Sequence, residues 1–170
     1  MAKHSAGIIP FRIANGGILE LFIVHPGGPY WAKKEFGAWS IAKGEVNEDQ
    51  DPKEVAEREF EEEIGVAAPK GQRIDLGEIK QAGGKRVRAW AVEAPSFEIH
   101  GITSNKFDMV WPPRSGQRQS FPEIDRAEWC GAHEAKLRLV KAQSEFVIRL
   151  ITLLGGKERM KRDCNNDNHE

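Results

Sequence analysis

From Gly44 to Val66 the chain reads GEVNEDQDPKEVAEREFEEEIGV, and this stretch decides the fold because its second half predicts a two-sided helix. At about 100° per residue, three carboxylates fall within a sector of roughly 100°: those of Glu59, Glu62 and Glu63. An apolar stripe runs beside them, made of Ala56, Phe60 and Ile64. The pattern predicts a helix that buries one side and gathers negative charge on the next.

Both ends of this helix carry recognisable signals. Asp51 followed by Pro52 is typical of an N-cap and a first helical position, and Glu54 stands where a capping-box partner belongs. Gly65 supplies a C-terminal stop. We therefore predict the helix over residues 52–64.

The gathered carboxylates favour a bound cation. Two carboxylates about 4 Å apart repel by roughly 4 kcal/mol at an effective dielectric of about 20, and a divalent ion reverses that term. Oxygen ligands suit Mg²⁺ or Mn²⁺. Gly44, in a predicted loop over residues 43–50, would let a backbone carbonyl approach the ion. The alternative is a solvated acidic face, which we expect for Glu57 and Glu61 on the opposite side.

The stretch resembles the Nudix box, G-x5-E-x7-R-E-U-x-E-E-x-G-U, in which U is a bulky apolar residue. The matching positions are Gly44, Arg58, Glu59, Phe60, Glu62, Glu63, Gly65 and Val66. The match has one gap, because Gln50 replaces the first Glu, and before the box Ala42 stands where a Pro often precedes the Lys-Gly pair. Gln50 can hydrogen-bond but carries no charge, so the departure bears on loop anchoring and on affinity for a further metal ion.

The resemblance implies an α/β (α+β) Nudix fold, an α/β/α sandwich with a central mixed β-sheet. It also implies Mg²⁺- or Mn²⁺-dependent hydrolysis of a nucleoside diphosphate linked to another moiety, with water attacking phosphorus. Glu59, Glu62, Glu63 and Gly44 are then the expected metal ligands. Arg58 is expected to hold the loop or a neighbouring carboxylate.

A further carboxylate is expected near the metal. In several Nudix relatives a glutamate about six residues before an aromatic residue of a late strand acts as a metal ligand or general base. Glu123 stands in that relation to Trp129. Asp125 and Glu128 are rivals for the role, and a solvated loop glutamate is the alternative.

Substrate-binding candidates come from the box entry and from a long loop. Lys43, beside Gly44, is placed to meet a phosphate, although a surface lysine would look the same. The predicted loop over residues 104–122 is long enough to favour a lid or recognition loop, in which Trp111 could stack on a base and Arg114 pair with phosphate. The alternative is that Trp111 packs under the loop. Basic residues also border the Gly83-Gly84 turn, where exposure alone is the commoner explanation: Lys80, Lys85, Arg86 and Arg88.

The rest of the chain reads as one domain over residues 1–155, followed by a disordered polar tail over residues 156–170. Strands are predicted over residues 5–13, 19–24, 38–41, 74–81, 86–93 and 125–130, and a last helix over residues 133–154 with Leu137 and Val140 on its packing face.

Composition and charge limit the partners and the cellular compartment that we expect. The 25 Lys and Arg residues balance 26 Asp and Glu residues, so charge gives no case for general nucleic-acid or membrane binding. The N-terminus lacks a signal-peptide core, and Cys130 and Cys164 form no disulfide framework. These features predict a cytoplasmic protein with a small-molecule nucleotide substrate, and they leave its oligomeric state open.

The substrate class rests on weaker resemblances. The segments WAKKEFGAWSIAKGE, SNKFDMVWPPRSG and FPEIDRAEW resemble a bacterial subgroup of predicted Nudix pyrophosphohydrolases, and the Trp-x-x-x-Lys-Gly entry is similar to that of dinucleoside polyphosphate hydrolases. We therefore expect hydrolysis of a nucleoside triphosphate or a dinucleoside polyphosphate. The alternatives are an ADP-ribose or nucleotide-sugar hydrolase, or a weakly catalytic nucleotide-sensing module, which Gln50 would favour.

Overall fold

The computed structural model describes residues 2–155. Its strands are β1 (His4–Ala14), β2 (Ile18–Pro26), β3 (Ala42–Val46), β4 (Ile74–Lys80), β5 (Arg86–Glu93), β6 (Lys106–Val110), β7 (Arg118–Pro122) and β8 (Ile124–Gly131). Its α-helices are α1 (Pro52–Ile64), α2 (Ala132–Arg138) and α3 (Ser144–Leu153), with 3₁₀ turns at Ala82–Gly84 and Lys141–Gln143. The predicted tail, 156–170, lies outside the described residues.

Six strands form the central sheet, in the order β4-β5-β1-β2-β8, with β3 paired to the first half of β1. The β1–β5 pair is parallel and the other pairs are antiparallel, so the sheet is mixed, as predicted. The predicted hairpin of β1 and β2 is confirmed, with Ala14 opposite Ile18. Strands β6 and β7 pair only with each other, as a separate hairpin.

Helices cover both faces of the sheet. Alternation along β1 sends Ile8 into the core beneath α1 and Ile9 into the core beneath α2 and α3. Phe60 of α1 and Phe146 of α3 are fully buried on these two sides. The predicted α/β/α sandwich is confirmed. Among the described residues, no helix combines the length and apolar character needed to cross a bilayer.

Helix α1 has the predicted bounds because its ends are capped as expected. The Asp51 side chain accepts a hydrogen bond from the Lys53 backbone N–H at 3.2 Å. Gly65 adopts φ 90°, in the left-handed region, and its N–H donates to the Glu61 carbonyl at 2.8 Å. The apolar stripe of α1 is buried, which leaves its carboxylates at the margin of the helix–sheet interface.

Two predicted segments near the box are wrong. Residues 38–41 form only isolated bridges, at Trp39 and Ser40, and the strand begins at Ala42 instead. Lys43 and Gly44 therefore lie in β3 rather than in a loop. Local pattern did not show this because the strand is stabilised by pairing with β1 across the sheet.

The predicted loop over residues 104–122 is largely the β6–β7 hairpin, in which Phe107 lies opposite Phe121. The single predicted helix over residues 133–154 is also wrong, because the chain leaves the helix at Leu139. There the Val140 N–H donates to the Trp39 carbonyl at 2.8 Å. Leu139 is buried in the break, whereas Leu137, predicted to pack, is 53 % exposed.

Candidate active site

Strand β3 and helix α1 meet at Gly44 and Glu59. A methyl group in place of the Gly44 hydrogen would overlap the Glu59 carboxylate, so only glycine lets this side chain lie against the β3 backbone. The box glycine is therefore required by a close approach to the strand. This contact puts Glu59 and the β3 backbone beside each other, where they would share a ligand.

Glu63, one turn further along α1, is held from the same strand. Its Oε2 accepts a hydrogen bond from the Lys43 backbone N–H at 3.2 Å. Burial raises the pKa of Glu63 to about 8, with the charges of Glu59 and Glu123 adding to the effect. Burial also raises the pKa of Glu59, followed by the charge of Glu62. These carboxylates are costly to ionise together without a positive charge.

Arg58 lies between two of the glutamates. Its Nη2 is 3.6 Å from Glu59 Oε1, and its Nε is 3.7 Å from Glu62 Oε1. Both ion pairs are too long for good hydrogen bonds. The placement supports the expectation that Arg58 steadies neighbouring carboxylates, while Glu62 itself stays 45 % exposed.

Glu123 lies between β7 and β8, and its charge adds to the effect of burial in raising the pKa of both Glu59 and Glu63. Its backbone is fixed on both sides: its N–H donates to the Asn105 carbonyl and its carbonyl accepts from the Gly27 N–H, each at 2.8 Å. The tertiary structure thus brings Glu123 to the box glutamates.

The two rival carboxylates are engaged elsewhere. Asp125 Oδ1 lies 2.7 Å from Nδ1 of His25, a fully buried histidine. Glu128 accepts a hydrogen bond from Arg138 Nη1 at 2.9 Å. These contacts favour Glu123 over Asp125 and Glu128 as the additional carboxylate of the site.

Residues 2–155 contain no group of three or more His, Cys, Asp or Glu side chains already gathered into a metal-binding cluster. The donors nevertheless fit a hard divalent cation. Glu59 and Glu63 offer only oxygen, and burial raises the pKa of both carboxyl groups despite the nearby charges of Arg58 and Lys43. Mg²⁺ or Mn²⁺ would supply that charge.

Gln50 occupies the one charged box position that is lost. Its Oε1 accepts a hydrogen bond from the Asn47 backbone N–H at 2.9 Å, and its own N–H donates to the Asn47 carbonyl at 3.1 Å. A glutamate oxygen would accept the same bond. The loop-anchoring role is therefore compatible with glutamine.

Trp111 and Arg114 lie at the far end of the β6–β7 hairpin. The Trp111 backbone N–H donates to the Gln117 carbonyl. Gln117 precedes Glu123 by six residues, which at strand spacing separates the two by about 20 Å along the hairpin. Arg114 is exposed in the connecting turn, with φ 62°. The structure does not place either side chain beside the glutamates.

Two site candidates were missed or undervalued from sequence. Tyr30, in the turn-rich segment after β2, lies with its ring centroid 5.2 Å from that of Trp111 in an edge-on arrangement and is 60 % exposed. Lys85 is the member of its basic group that acts on the box entry: burial, followed by the charge of Lys85, lowers the pKa of Lys43 to about 8. By contrast, Arg86 and Arg88 form ion pairs with acidic residues of β4. The sequence signal that could have found Tyr30 is an aromatic residue shortly after Gly27 and Gly28 in a turn-rich segment.

Comparison with known proteins decides the family. A family model described as NUDIX domain matches residues 4–150. The chain belongs to the NUDIX family. The expected Nudix fold and Nudix-type pyrophosphohydrolase are thereby confirmed at the level of the family. A search of curated proteins returned no significant match.

Solved Nudix structures share the fold at low sequence identity. A C. elegans Ap4A hydrolase binary complex has a TM-score of 0.62 and 18% identity, covering 92% of this chain and 100% of its own. The NUDIX domain of Shewanella oneidensis NrtR, complexed with ADP ribose, has a TM-score of 0.62 and 12% identity, with coverages of 91% and 89%. A MutT protein from Methanosarcina mazei Go1 has a TM-score of 0.57 and 16% identity, with coverages of 91% and 96%. These likenesses extend over nearly the whole chain.

Proposed function

We propose that this Nudix protein hydrolyses a nucleoside triphosphate or a dinucleoside polyphosphate, using Mg²⁺ or Mn²⁺. One observation carries the proposal: Glu59 lies against the Gly44 backbone and Glu63 accepts the Lys43 backbone N–H, while the charge of Glu123, just before β8, adds to the raised pKa of both. Burial and mutual repulsion disfavour the ionised forms of Glu59 and Glu63, and bound cations would offset both effects. The diphosphate of the substrate would bind through them.

Each residue has a role in the proposed reaction. Gly44, Glu59, Glu62 and Glu63 would hold the metal, and Arg58 steadies Glu59 and Glu62. A bound divalent ion would neutralise the diphosphate oxygens as charge develops on them. Glu123, exposed and anchored through its backbone, accepts the proton of the attacking water. The new bond joins the water oxygen to phosphorus, and the phosphoanhydride bond on its opposite side breaks.

The hairpin tip would recognise the part of the substrate furthest from the reacting phosphorus. Trp111 and Tyr30 present aromatic surface, and Arg114 adds an exposed positive charge. Base stacking on aromatic side chains is worth about 1–3 kcal/mol. An extended substrate suits this separation, and the Ap4A hydrolase likeness agrees with such a substrate.

Two alternative functions each have one observation in their favour. The likeness to a domain complexed with ADP ribose favours an ADP-ribose or nucleotide-sugar hydrolase. The loss of charge at Gln50 favours a nucleotide-sensing module with little turnover. For either, the partner is a small-molecule nucleotide, and the buried free thiol of Cys130 suits the cytoplasm.

The proposal is tested with a set of nucleotide diphosphate derivatives, with Mg²⁺ and with Mn²⁺, and separation of the products by chromatography. We expect Glu63→Gln and Glu62→Gln to lower kcat at least about a hundredfold, or roughly 2.7 kcal/mol of transition-state stabilisation. Glu61→Gln is the matched control, because Glu61 is exposed on the same helix away from the site. Near wild-type turnover by either site variant at saturating Mg²⁺ would disprove the metal site.

A further inference from the structure

His25 is a fully buried histidine near the end of β2, and both of its ring nitrogens are engaged. Nε2 donates to the Lys34 carbonyl at 2.8 Å, since a carbonyl can only accept, and Nδ1 lies 2.7 Å from Asp125 Oδ1. The Trp39 ring packs edge-on against the imidazole, with the ring centroids 5.1 Å apart. The two hydrogen bonds and this packing hold the ring in one orientation, in which it links two segments that are distant in the chain.

Asp125 reaches the histidine because β8 carries a bulge. The pairing of β2 with β8 places Arg126 opposite His25. The next residue of β2, Pro26, lies opposite Ile124, so Asp125 is an extra residue in β8. An extra residue shifts the alternation of side chains by one position, and Ile124 is thereby sent into the core beneath α1. The hydrogen bond between His25 and Asp125 holds the bulged residue, and so it fixes the course of the chain immediately before it.

The chain before the bulge carries Glu123, whose charge acts on the box glutamates. Glu123 lies two residues before Asp125, and its carbonyl accepts a hydrogen bond from the Gly27 N–H at 2.8 Å. Gly27 in turn follows His25 by two residues. The beginning of β8 and the end of β2 are therefore tied together twice, once through the Gly27 backbone and once through the imidazole.

The other ring nitrogen holds the segment after β2 that carries Tyr30. The Lys34 N–H donates to the Trp31 carbonyl at 2.9 Å, and the Trp31 N–H donates to the Gly28 carbonyl at 3.4 Å. The segment therefore consists of two successive turns that end at Lys34. Tyr30 lies in the first of these turns, where it contacts the hairpin tip. By holding the Lys34 carbonyl, His25 anchors the far end of both turns.

We propose that His25 is a positioning residue that serves catalysis and substrate recognition through separate ring nitrogens. Nδ1, acting through Asp125, keeps Glu123 in place for the attacking water. Nε2, acting through the Lys34 carbonyl, keeps Tyr30 in place for the base. The roles of Glu123 and Tyr30 rest on the proposed function, whereas the two hydrogen bonds of His25 do not.

Two amide variants separate the two nitrogens. The side-chain amide nitrogen of Asn lies where the imidazole has Nδ1, and that of Gln lies where it has Nε2. His25→Asn therefore keeps the donor toward Asp125 and loses the donor toward Lys34, and His25→Gln does the reverse. Val24→Ala is the matched control, because Val24 is the adjacent buried residue of β2 and faces the core beneath α1.

Amide hydrogen exchange of the metal-free protein tests the positioning without any turnover. Compared with Val24→Ala, His25→Gln should speed exchange of the Gly27 N–H, which bonds to Glu123, at least about tenfold, and that of the Lys34 N–H less than about threefold. His25→Asn should show the reverse pattern. Equal acceleration of both amides in the two His25 variants would show that the histidine serves the fold only, and would overturn the proposal.

Steady-state kinetics then test the two roles. His25→Gln should lower kcat at least about tenfold with a KM within about threefold, and His25→Asn should raise the KM at least about fivefold with a kcat within about threefold. A split in exchange without this split in kinetics would overturn the positioning role. An inactive wild type that shows the split in exchange would support the anchoring by His25 and reject the proposed enzyme function.

A conservative variant of Asp125 provides a second test at a side chain that is 31 % exposed. Asp125→Asn should keep kcat within about threefold, because its amide N–H can donate to Nδ1 while Nε2 still donates to the Lys34 carbonyl. Asp125→Ala, which leaves Nδ1 without a partner, should lower kcat at least about tenfold. Equal activity of these two variants would contradict the role assigned to the hydrogen bond.

Discussion

Glu63 sets how the metal-free protein responds to pH. Its pKa, raised from 4.5 to about 8, means that between these values the folded state keeps a proton that the unfolded chain has released. The free energy of unfolding therefore falls as pH rises across this window. Lys43 acts in the opposite sense above it, because its pKa is lowered from 10.5 to about 8 and stability is regained as pH rises toward 10.5.

We therefore expect the metal-free protein to be least stable near pH 8. Urea unfolding in EDTA at about pH 5 and about pH 8 should differ by about 2 kcal/mol, after allowance for the solvent that reaches Glu63. Glu63→Gln should remove most of that difference. A wild-type stability that is flat or rising over this interval would contradict the burial of an uncompensated carboxylate.

Gln50 separates an enzyme from a nucleotide sensor. Because Gln50 already accepts the Asn47 N–H, Gln50→Glu should change the hydrolysis rate by less than about tenfold, or about 1.4 kcal/mol. Gln50→Ala, which loses that bond, should cost about 1 kcal/mol of stability. Phosphate-release assays, with Mn²⁺ titration calorimetry beside them, measure the first effect, and urea unfolding measures the second. An inactive wild type that gains strong turnover as Gln50→Glu would instead identify a disabled site.

At the scale of elements, the β6–β7 hairpin extends the site beyond the sandwich. The hairpin and the residue after it contact the segment that follows β2 at three successive points. The Glu123 carbonyl accepts a hydrogen bond from the Gly27 N–H, Phe107 packs against Gly28, and the Trp111 ring contacts the Tyr30 ring. A substituent on either glycine would collide with the hairpin side, with Pro122 at Gly27 and with Phe107 at Gly28. The two segments thus form one continuous wall leading from Glu123 to the aromatic tip.

This arrangement predicts that the hairpin tip contributes to substrate binding, and so to KM, but not to the rate of the chemical step. Trp111→Ala should raise the KM about tenfold, because a stacked base is worth about 1–3 kcal/mol, while kcat changes by less than about threefold. Steady-state kinetics on the preferred nucleotide measure both. Phe36→Ala is the control, since Phe36 lies in the segment after β2 that also carries Tyr30, and is 71 % exposed. If Trp111→Ala and Phe36→Ala changed the KM equally, the hairpin would not be the part that recognises the base.

At the scale of the molecule, Gln143 connects the C-terminal layer with the box. It lies on the side of the sheet opposite α1, yet it fixes Ile41 and Ser40 just before β3 and Gln81 beside the β4–β5 turn. Removing its amide leaves the buried Ile41 N–H without a partner. Such an unpaired group costs about 1–3 kcal/mol.

Gln143→Leu should accordingly lower the free energy of unfolding by about 2 kcal/mol, and it should also raise the substrate KM because the chain leading into Lys43 loses its support at Ile41. Urea unfolding and steady-state kinetics are the measurements, with the exposed Gln72→Leu as control. A destabilised variant with an unaltered KM would show that the link serves the fold only.

Local sequence determined those elements whose signals are contained within a few residues. The bounds of α1 followed from Asp51, Pro52 and Gly65, which act on the helix through neighbouring backbone groups. The first hairpin followed from strand pattern and its turn. The box glutamates were assigned correctly to one helix for the same reason, since helical periodicity alone sets which side chains are neighbours.

Tertiary structure decided whatever depends on residues distant in the chain. Strand β3 forms because β1 offers it a pairing edge, and the last helix breaks because Val140 bonds to Trp39 about a hundred residues earlier. Sheet order likewise decides that the charge of Glu123 acts on Glu59 and Glu63, and that of Lys85 on Lys43. Hydrogen bonding and burial across the sheet outweigh local propensity at these places, and no local pattern records them.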